Sequence, residues 1–441
     1  MKIRLLFIIM FFCVFSQIRA QKTSFSLDKN IKKETTSFLF IKNLVVVPIT
    51  FNGQQMNFIV DSGLRETILF SQYDETIDKK ALRQISLKGL GKGNNDMKGF
   101  YSEGNQVVFG KNYISTNMDI IVVQGEDFNL FSRLGLDVHG IIGSEFFRNY
   151  PIQIDYSKQK ITIYQSIQDV KKIQKFQSNF LEISPESKPF TSIDFMHQLT
   201  YTNQKMLIDI GNSDGLWLFD NQIGNLKPLQ NVFSDELGKG FSGSINGKRG
   251  VISSSNLGKY KLKLPLIAVP DDKSIQYLNI KNNRKGSIGN EILRRFTIIL
   301  DYKNQLFYCR PNRDFKDVFH YNRSGLTIIH DQFEWRNKKA EIQFNQNNSN
   351  QKNYSTSHHI NYKFKLKPIY KIEAVRKNSN AGLVGLKEND RLMKLDGKQV
   401  NKMSLDDIEN FMRENEFQEI SVEILRENLP MKFKFILDIP Y

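Results

Sequence analysis

Hydrophobic residues between positions 24 and 312 fall into short runs that either alternate with polar residues or are apolar throughout. Such runs cover residues 44–49, 120–123 and 161–164, and Gly, Asn, Asp and Lys separate them. Helical spacing of apolar residues is scarce here, so the pattern predicts a mainly β region. Asn52-Gly53 stands between two of these runs, and this dipeptide is typical of a tight hairpin turn.

The same region contains three short patterns that each occur twice. Residues 58–63 return as 206–211, residues 90–93 as 237–240, and residues 140–145 as 286–291. The separations are 148, 147 and 146 residues, and this near-constant offset indicates a duplicated structural unit. Each unit also closes with a matching pair of apolar runs. We therefore divide the region into a first repeat (residues 21–170) and a second repeat (residues 171–312).

The composition changes after residue 311, and residues 313–441, called the C-terminal region, are interpreted as a small α+β domain. Residues 345–361 are polar and low in complexity, which predicts a flexible insert within this domain. The remainder combines strand-like alternation with one amphipathic helical stretch. That helix is predicted to begin at the N-cap residue Ser404 and to bury Leu405, Ile408 and Met412.

Residues 1–20 have the pattern of a cleaved secretory signal peptide. Basic residues precede an apolar run of eleven residues, which is too short to span a bilayer. We therefore expect a secreted protein, with the periplasm as the favoured compartment, and no stable transmembrane anchor. Removing the signal lowers the formal charge from +16 to +13 and leaves Cys309 as the only cysteine. The positive charge is spread along the chain without a nucleic-acid-reading motif, so we expect no nucleic-acid partner.

Two aspartates occupy equivalent places in the repeats. Asp61 and Asp209 each follow an apolar run and stand two residues before a glycine, which suits a tight loop that presents a carboxylate. In this respect the chain resembles the bilobal aspartic peptidases, pepsin-like or retropepsin-like. In that family each lobe gives one Asp-Thr/Ser-Gly loop, braced by an apolar-apolar-Gly segment. The resemblance covers about residues 35–312.

The resemblance implies a two-lobed β-barrel fold, with a cleft for a polypeptide substrate between the lobes. Asp61 and Asp209 become the catalytic pair, which hydrolyses a peptide bond with an activated water and needs no metal or cofactor. The residues that would support the catalytic loops are Ser62, Gly63, Gly211, Asn212 and Ser213. The residues that would form the flap over the cleft are Leu90, Gly91, Lys92 and Gly93.

One position departs from the family pattern. Ile210 replaces the hydroxyl residue whose side chain, in the family, helps to lock the two loops together. Ser62 keeps that hydroxyl in the first repeat only, and Asn212 and Ser213 are candidate substitutes. This departure leaves a second function open, namely a non-catalytic peptide-binding protein in which Ile210 has disabled the pair.

The C-terminal region resembles bacterial PDZ domains. The motifs that carry this resemblance are Ala-Gly-Leu at 381–383, Asn-Asp at 389–390 in place of Gly-Asp, and Asp-Gly at 396–397. Ser324, Gly325 and Leu326 match the carboxylate-binding loop of such domains. The resemblance implies a groove in which an extended peptide adds a strand and its terminal carboxylate meets backbone N–H groups. An ordinary turn at these three residues is the alternative.

Overall fold

The computed structural model describes residues 25–70, 82–87, 97–123, 130–223, 226–227, 229, 232–240, 243–276, 280, 283–337, 341–342, 360–361 and 364–438. Strands dominate these residues, which confirms the prediction of a mainly β chain. The predicted signal peptide, and the predicted insert apart from its last two residues, lie outside the described residues. Within the described ranges, no helix combines the length and apolar character that crossing a membrane requires.

The strands and helices have the following bounds. The strands of the first repeat are β1 (Ser26–Leu27), β2 (Lys33–Ser37), β3 (Leu39–Ile41), β4 (Leu44–Phe51), β5 (Gln54–Val60), β6 (Thr67–Phe70), β7 (Arg83–Leu87), β8 (Met97–Phe109), β9 (Tyr113–Val123), β10 (Gly140–Ile142), β11 (Ile152–Asp155) and β12 (Lys160–Tyr164). Those of the second repeat are β13 (Gln177–Phe180), β14 (Glu182–Ile183), β15 (Pro189–His197), β16 (Leu199–Ile208), β17 (Leu216–Leu218), β18 (Phe233–Gly240), β19 (Gly243–Val251), β20 (Ser254–Leu257), β21 (Tyr260–Lys263), β22 (Leu266–Pro270), β23 (Gly286–Ile288), β24 (Phe296–Asp301) and β25 (Leu306–Pro311). Those of the C-terminal region are β26 (Leu326–Asn337), β27 (Glu341–Ile342), β28 (Ile360–Asn361), β29 (Phe364–Val375), β30 (Arg391–Leu395), β31 (Lys398–Gln399), β32 (Glu419–Arg426) and β33 (Leu429–Ile436). The α-helices are α1 (Leu130–Leu134), α2 (Asp272–Ile275), α3 (Asn290–Leu293), α4 (Asn380–Leu383) and α5 (Leu405–Glu414).

Both repeats arrange their strands in the same order. The central part of the sheet runs β9-β6-β10-β5-β4 in the first repeat and β22-β17-β23-β16-β15 in the second. In each sheet a three-residue strand, β10 or β23, is parallel to the strand that leads to the aspartate and antiparallel to the next one. The repeat in sequence is therefore also a repeat in topology, and the two aspartates follow equivalent strands.

The predicted hairpin at Asn52-Gly53 is confirmed. Strands β4 and β5 pair antiparallel with Phe51 opposite Gln54, and φ is 44° at Asn52 and 85° at Gly53. Positive φ at both central residues is the type I′ geometry, which asparagine and glycine adopt at low cost and which matches the twist of the strands. Since β5 leads directly to Asp61, this turn sets the register of the strand that carries the first aspartate.

A six-stranded sheet joins the two repeats. Its order is β13-β25-β24-β11-β12-β2, and β11 pairs with β24 so that Ile152 faces Leu300 and Ile154 faces Ile298. These four side chains are fully buried in a core that contains residues of both repeats. Because a close-packed shared core resists separation of its halves, it keeps the loops after β5 and β16 at a fixed distance.

The C-terminal region has a sheet and a core of its own. The sheet order is β26-β29-β30-β32-β33, and α5 contributes Leu405, Ile408 and Met412 to the buried core. Oγ of Ser404 accepts from the Asp407 N–H at 3.1 Å, while the Asp407 carboxylate accepts from the Ser404 N–H at 2.9 Å. This reciprocal capping box fixes the start of the helix. The predicted N-cap and buried face are therefore confirmed.

Ion pairs attach the C-terminal region to the first repeat. Nζ of Lys42 lies 2.7 Å from Oε1 of Glu409 in α5, and Nη2 of Arg133 lies 2.7 Å from Oε1 of Glu373 in β29. All four side chains are at most 25% exposed. Pairs that are partly withdrawn from water are screened less than exposed ones. They therefore help to keep the C-terminal region docked against the repeats.

Candidate active site

Asp61 and Asp209 lie at equivalent points, where a strand gives way to a loop. The N–H of Asp61 donates to the carbonyl of Ile142 at 3.0 Å, and the N–H of Asp209 donates to the carbonyl of Ile288 at 3.0 Å. Both aspartates are half-buried. Each is thus anchored to the short strand beside it, β10 or β23, and the chain turns directly afterwards.

The two loops meet with the glycine of one against the carboxylate of the other. An ideal Cβ placed on Gly63 would lie 2.9 Å from Oδ1 of Asp209, and one placed on Gly211 would overlap the carboxyl group of Asp61. Glycine is therefore required at both positions by close approach alone. The structure brings these four residues together although Asp61 and Asp209 are 148 positions apart in the sequence.

Each carboxylate also accepts hydrogen bonds from groups that orient it. Oδ1 of Asp61 accepts from the N–H of Gly63 at 2.7 Å and from the N–H of Leu64 at 3.1 Å. The N–H of Gly211 and the hydroxyl of Ser287 lie near Asp209 and oppose the rise in its pKa. Such donors favour the charged form of a carboxyl group and hold its orientation.

Burial raises the pKa of both carboxyl groups. Desolvation, followed by the neighbouring charge of Asp209, raises the pKa of Asp61 from 3.8 to about 7. Desolvation also raises the pKa of Asp209, although the positive charges of Arg284 and Lys188 oppose this rise. Two neighbouring carboxyl groups that repel each other share one proton over a range of pH, and their titration belongs to the pair.

Ser62 connects the two loops. Its side chain is fully buried, and its Oγ donates to the carbonyl of Ile208 at 2.7 Å and accepts from the N–H of Ile210 at 3.0 Å. Both partners belong to the second repeat, on either side of Asp209. The Ser62 hydroxyl therefore holds the second aspartate's backbone in position against the first loop.

Ile210 cannot return these hydrogen bonds, and its side chain is fully buried in the main core instead. The carbonyl of Ile210 accepts from Nδ2 of Asn290 at 2.6 Å, and the same amide donates to the carbonyl of Asn43 at 2.7 Å. Oδ1 of Asn290 accepts from the Tyr156 hydroxyl at 2.8 Å. Asn290 is a supporting residue that the sequence reasoning missed. The sequence feature that could have identified it is a difference between the repeats: asparagine follows the repeated glycine in the second repeat, where the first repeat has Ser144.

Asn212 and Ser213 support the second loop through one local bond and two bonds to distant residues. Oδ1 of Asn212 accepts from the N–H of Asp214 at 2.9 Å, and the carbonyl of Asn212 accepts from the N–H of Asn290 at 2.7 Å. The carbonyl of Ser213 accepts from Nδ2 of Asn43 at 3.0 Å. These bonds stabilise the loop itself, whereas the bonds from Ser62 are the ones that cross between the aspartate loops.

Arg284 and Ser287 lie behind Asp209, and the sequence reasoning did not single them out. Arg284 is 9% exposed, and its Nε donates to the carbonyl of Gly286 at 2.9 Å. Its Nη2 donates to Oγ of Ser287, which is fully buried, and the Ser287 hydroxyl opposes the rise in the pKa of Asp209. The signal that could have found them was the serine that interrupts the apolar-apolar-Gly pattern of the second repeat.

The flap predicted at Leu90, Gly91, Lys92 and Gly93 lies outside the described residues. The strands on either side of it, β7 and β8, pair antiparallel with Arg83 opposite Tyr101. In the second repeat the corresponding residues 237–240 belong to β18, which pairs antiparallel with β19.

Ser324, Gly325 and Leu326 form a loop that is held by hydrogen bonds. Oγ of Ser324 donates to Oδ1 of Asn322 at 2.7 Å and accepts from the Leu326 N–H at 3.0 Å. Gly325 has a φ of 73°, and its carbonyl accepts from the N–H of Arg376 at 2.7 Å. The loop leads into β26, which pairs with β29 and also contacts α5 and α1.

A chain of ion pairs connects the second aspartate loop with the C-terminal region. Arg249 in β19 contacts the carboxylate of Asp214, and its Nε lies 2.8 Å from Oδ2 of Asp235 in β18. Oδ1 of Asp235 in turn lies 3.3 Å from Nε of Arg376. These residues line a cavity of about 790 Å³ between the second repeat and the C-terminal region. Neither of the facing aspartates lines it, but Ser213 of the second aspartate loop does.

The described ranges give little support for a metal site or a cysteine nucleophile. No group of three or more His, Cys, Asp or Glu residues there could hold a metal ion. Cys309 is fully buried in β25, and burial raises the pKa of its thiol to about 12, so it is a poor nucleophile.

No protein-family model matches the chain, and no curated protein matches it in sequence.

Proposed function

We propose that this protein is an aspartic endopeptidase, which hydrolyses peptide bonds of polypeptide substrates with a water molecule activated between Asp61 and Asp209. The observation that carries the proposal is the mutual approach of the two loops, in which Gly63 faces Asp209 and Gly211 faces Asp61. This arrangement supports a two-lobed aspartic protease fold for residues 21–312. The signal-like residues 1–20 support secretion, with the periplasm as the compartment.

The chemistry follows from two carboxyl groups that share one proton. The ionised carboxylate removes a proton from the water as it attacks, and the protonated carboxyl donates to the carbonyl oxygen of the substrate. The reaction proceeds without a covalent intermediate. A pKa of about 7 at Asp61 keeps one member protonated up to neutral pH, so this division of roles is available there. The proposed reaction uses no metal or cofactor.

The C-terminal region is proposed to be a PDZ domain that recruits a peptide or protein substrate. The loop of Ser324 to Leu326 enters β26, and a bound peptide would add to the edge of this strand. The walls of the proposed groove are β26 and α5, and both contact the first repeat. Strand β26 contacts α1, and α5 forms the ion pair between Glu409 and Lys42. A peptide bound there would therefore lie next to the catalytic repeats.

The peptide groove can be tested by anisotropy with fluorescent peptides that end in a free carboxylate or an amide. The free carboxylate should bind more tightly, and Gly325→Ala should weaken it because the added Cβ would overlap Ser379. Gly397→Ala is the matched control, since Gly397 also has positive φ but has no atom within 4 Å of an added Cβ. Equal binding of both peptides would contradict carboxylate capture.

One observation favours the alternative, a non-catalytic peptide-binding protein. Ile210 contributes no hydroxyl to the contact between the loops, so one of the two reciprocal locks of the family is replaced by apolar packing. If that change displaced the second carboxylate, the cleft between the repeats would bind peptides without cleaving them.

The decisive experiment is digestion of a peptide library by the mature protein between pH 3 and 8. The wild type should cleave, whereas Asp61→Asn and Asp209→Asn should both abolish cleavage. Asp194→Asn is the matched control, because this half-buried carboxylate of the second repeat accepts a bond from the Asn203 N–H away from the loops. Binding of peptides without cleavage at any pH would support the alternative instead.

A further inference from the structure

The surroundings of the two aspartates differ at two equivalent positions. The offset between the repeats makes Ser287 the counterpart of Ile141 and Arg284 the counterpart of Val138. In the first repeat both positions are apolar, and Val138 is buried in a hydrophobic cluster that Ile141 packs against. In the second repeat the same positions carry a cation and a hydroxyl. The duplicated loops are thus built on chemically different supports.

The three groups behind the second loop form a directed series of hydrogen bonds. A guanidinium group can only donate, so Ser287 Oγ is the acceptor in its hydrogen bond with Nη2 of Arg284 and keeps its own proton for another partner. The proton of Ser287 is then free to point at Asp209, because the parallel pairing of β23 with β16 sets Ser287 opposite Leu207 and therefore on the same face as Asp209. The hydroxyl opposes the rise in the pKa of Asp209. A donor in this position is satisfied by a carboxylate oxygen, and it favours the charged form of that carboxyl group.

Arg284 is held in place by contacts that do not involve the aspartate. Its Nε donates to the carbonyl of Gly286 at 2.9 Å, and its guanidinium carbon lies 4.9 Å from the ring centre of Phe219. Burial lowers its pKa to about 10, so it stays positively charged through neutral pH. The cation behind Asp209 is therefore fixed and permanent over the range in which the pair titrates.

The charged groups that face the pair do not compensate for this difference. Asp61 is influenced by the charge of Asp209 and by the N–H groups of its own loop, and its own charge adds to burial in raising the pKa of Tyr302. Lys188 acts on both aspartates, so it does not distinguish them. Arg284 lowers the pKa of Asp209 against desolvation, and Asp209 is in turn the charge that raises the pKa of Arg284.

We propose that Arg284, acting through Ser287, holds the negative charge on Asp209 and leaves the shared proton on Asp61. Asp209 is then the base that takes the proton of the attacking water, and Asp61 is the acid that donates to the substrate carbonyl. Arg284 and Ser287 are positioning residues, because they act through Asp209. This inference rests on the proposed peptidase function, and it assigns the two roles within that mechanism.

The pH dependence of kcat tests the assignment. The acid limb should report Asp209 and the basic limb Asp61, so Ser287→Ala should move the acid limb up by about one pH unit and leave the basic limb in place. Ser287→Thr should restore the profile because it keeps the hydroxyl. Lys188→Met should move both limbs together, since Lys188 lowers the pKa of both carboxyl groups.

An active Ser287→Ala protein whose acid limb does not move, or whose basic limb moves instead, would overturn the assignment. Arg284→Lys provides a second test, because it keeps the charge but loses the planar donor pair, and it should shift the acid limb less than Ser287→Ala does.

A second measurement does not require turnover. Carbon-13 NMR titration of labelled aspartate carboxyl groups, with the two signals assigned by their absence from Asp209→Asn and Asp61→Asn, should show that the Asp209 signal of the wild type titrates at lower pH than the Asp61 signal. The opposite order would overturn the inference. If the two carboxyl groups titrate in this order but the protein cleaves no peptide, the peptidase proposal is wrong and the assignment of charge to Asp209 is still supported. Failure of the proposed function and failure of this inference are therefore distinguishable.

Discussion

Replacing Asp61 with asparagine should stabilise the protein at neutral pH, although it removes a proposed catalytic group. Asparagine keeps the side-chain oxygen that accepts from the Gly63 N–H, but it cannot ionise. In the wild type the pKa of Asp61 is raised from 3.8 to about 7. An acid whose folded-state pKa is raised contributes stability fully below its unfolded pKa and loses it as the pH rises through the folded value. The relevant window is therefore pH 4 to 7.

The magnitude follows from the size of the shift. Each pKa unit corresponds to about 1.4 kcal/mol, so a shift of about three units makes ionisation cost about 4 kcal/mol of folding free energy. Because Asp209 shares the proton, a single substitution recovers part of this cost, and we expect a gain of about 2–4 kcal/mol at pH 8. At pH 4 the carboxyl group is protonated in the folded protein, and the gain should be close to zero.

The assay is urea-induced unfolding, followed by circular dichroism at several pH values from 4 to 8. The quantity to compare is the difference in unfolding free energy between Asp61→Asn and the wild type. Asp194→Asn serves as the control, because its carboxylate lies outside the paired loops. A difference that stays constant with pH, or a wild type that is the more stable protein at pH 8, would refute a desolvated Asp61 beside Asp209.

Three further predictions concern the supports of the site. Ser62→Ala should destabilise the fold by about 1–3 kcal/mol, because it leaves the buried N–H of Ile210 without its acceptor, and Ser62→Thr should recover most of the loss in the same unfolding assay. Gly211→Ala should reduce kcat on the order of 100-fold, because the new methyl group displaces Asp61; unchanged cleavage would contradict the close approach of the loops. Arg249→Met should cost about 3 kcal/mol because it leaves Asp214 without its cation and Asp235 with Arg376 alone, whereas Arg249→Lys should cost less.

Local chemistry made part of the fold predictable from the sequence. Asn52-Gly53 predicts its own turn because few residue pairs adopt positive φ twice in succession. Ser404 predicts the start of a helix because its hydroxyl completes the capping box with Asp407, three residues on. The repeated Asp-x-Gly triplet predicted two equivalent loops for the same reason, since a carboxylate after a strand and a nearby glycine form a local unit.

The contacts that complete the site could not be predicted in this way. Ser62 meets the second loop 146 and 148 positions away, and Asn290 meets Ile210 over 80 positions. Periodicity shows which residues share a face of a strand, but it does not show which polar side chains meet across two repeats. Ser287 was visible as an exception to the repeated pattern, yet its partner Arg284 has no motif around it.

The difference between Ser62 and Ile210 has a structural meaning beyond the loss of a hydroxyl. One hydroxyl group has a single proton, and Ser62 uses it on Ile208 while accepting from Ile210, so one side chain makes two bonds across the interface. The second loop receives its remaining support from the Asn290 amide, which a hydroxyl at position 210 would not supply. Activity is lost through Ile210 only if these supports fail to hold Asp209. The variant Asn290→Ala, with Ser62 intact, separates the support given by Asn290 from that given by Ser62. If the second loop relies on Asn290, this variant should lose cleavage although the bonds from Ser62 remain.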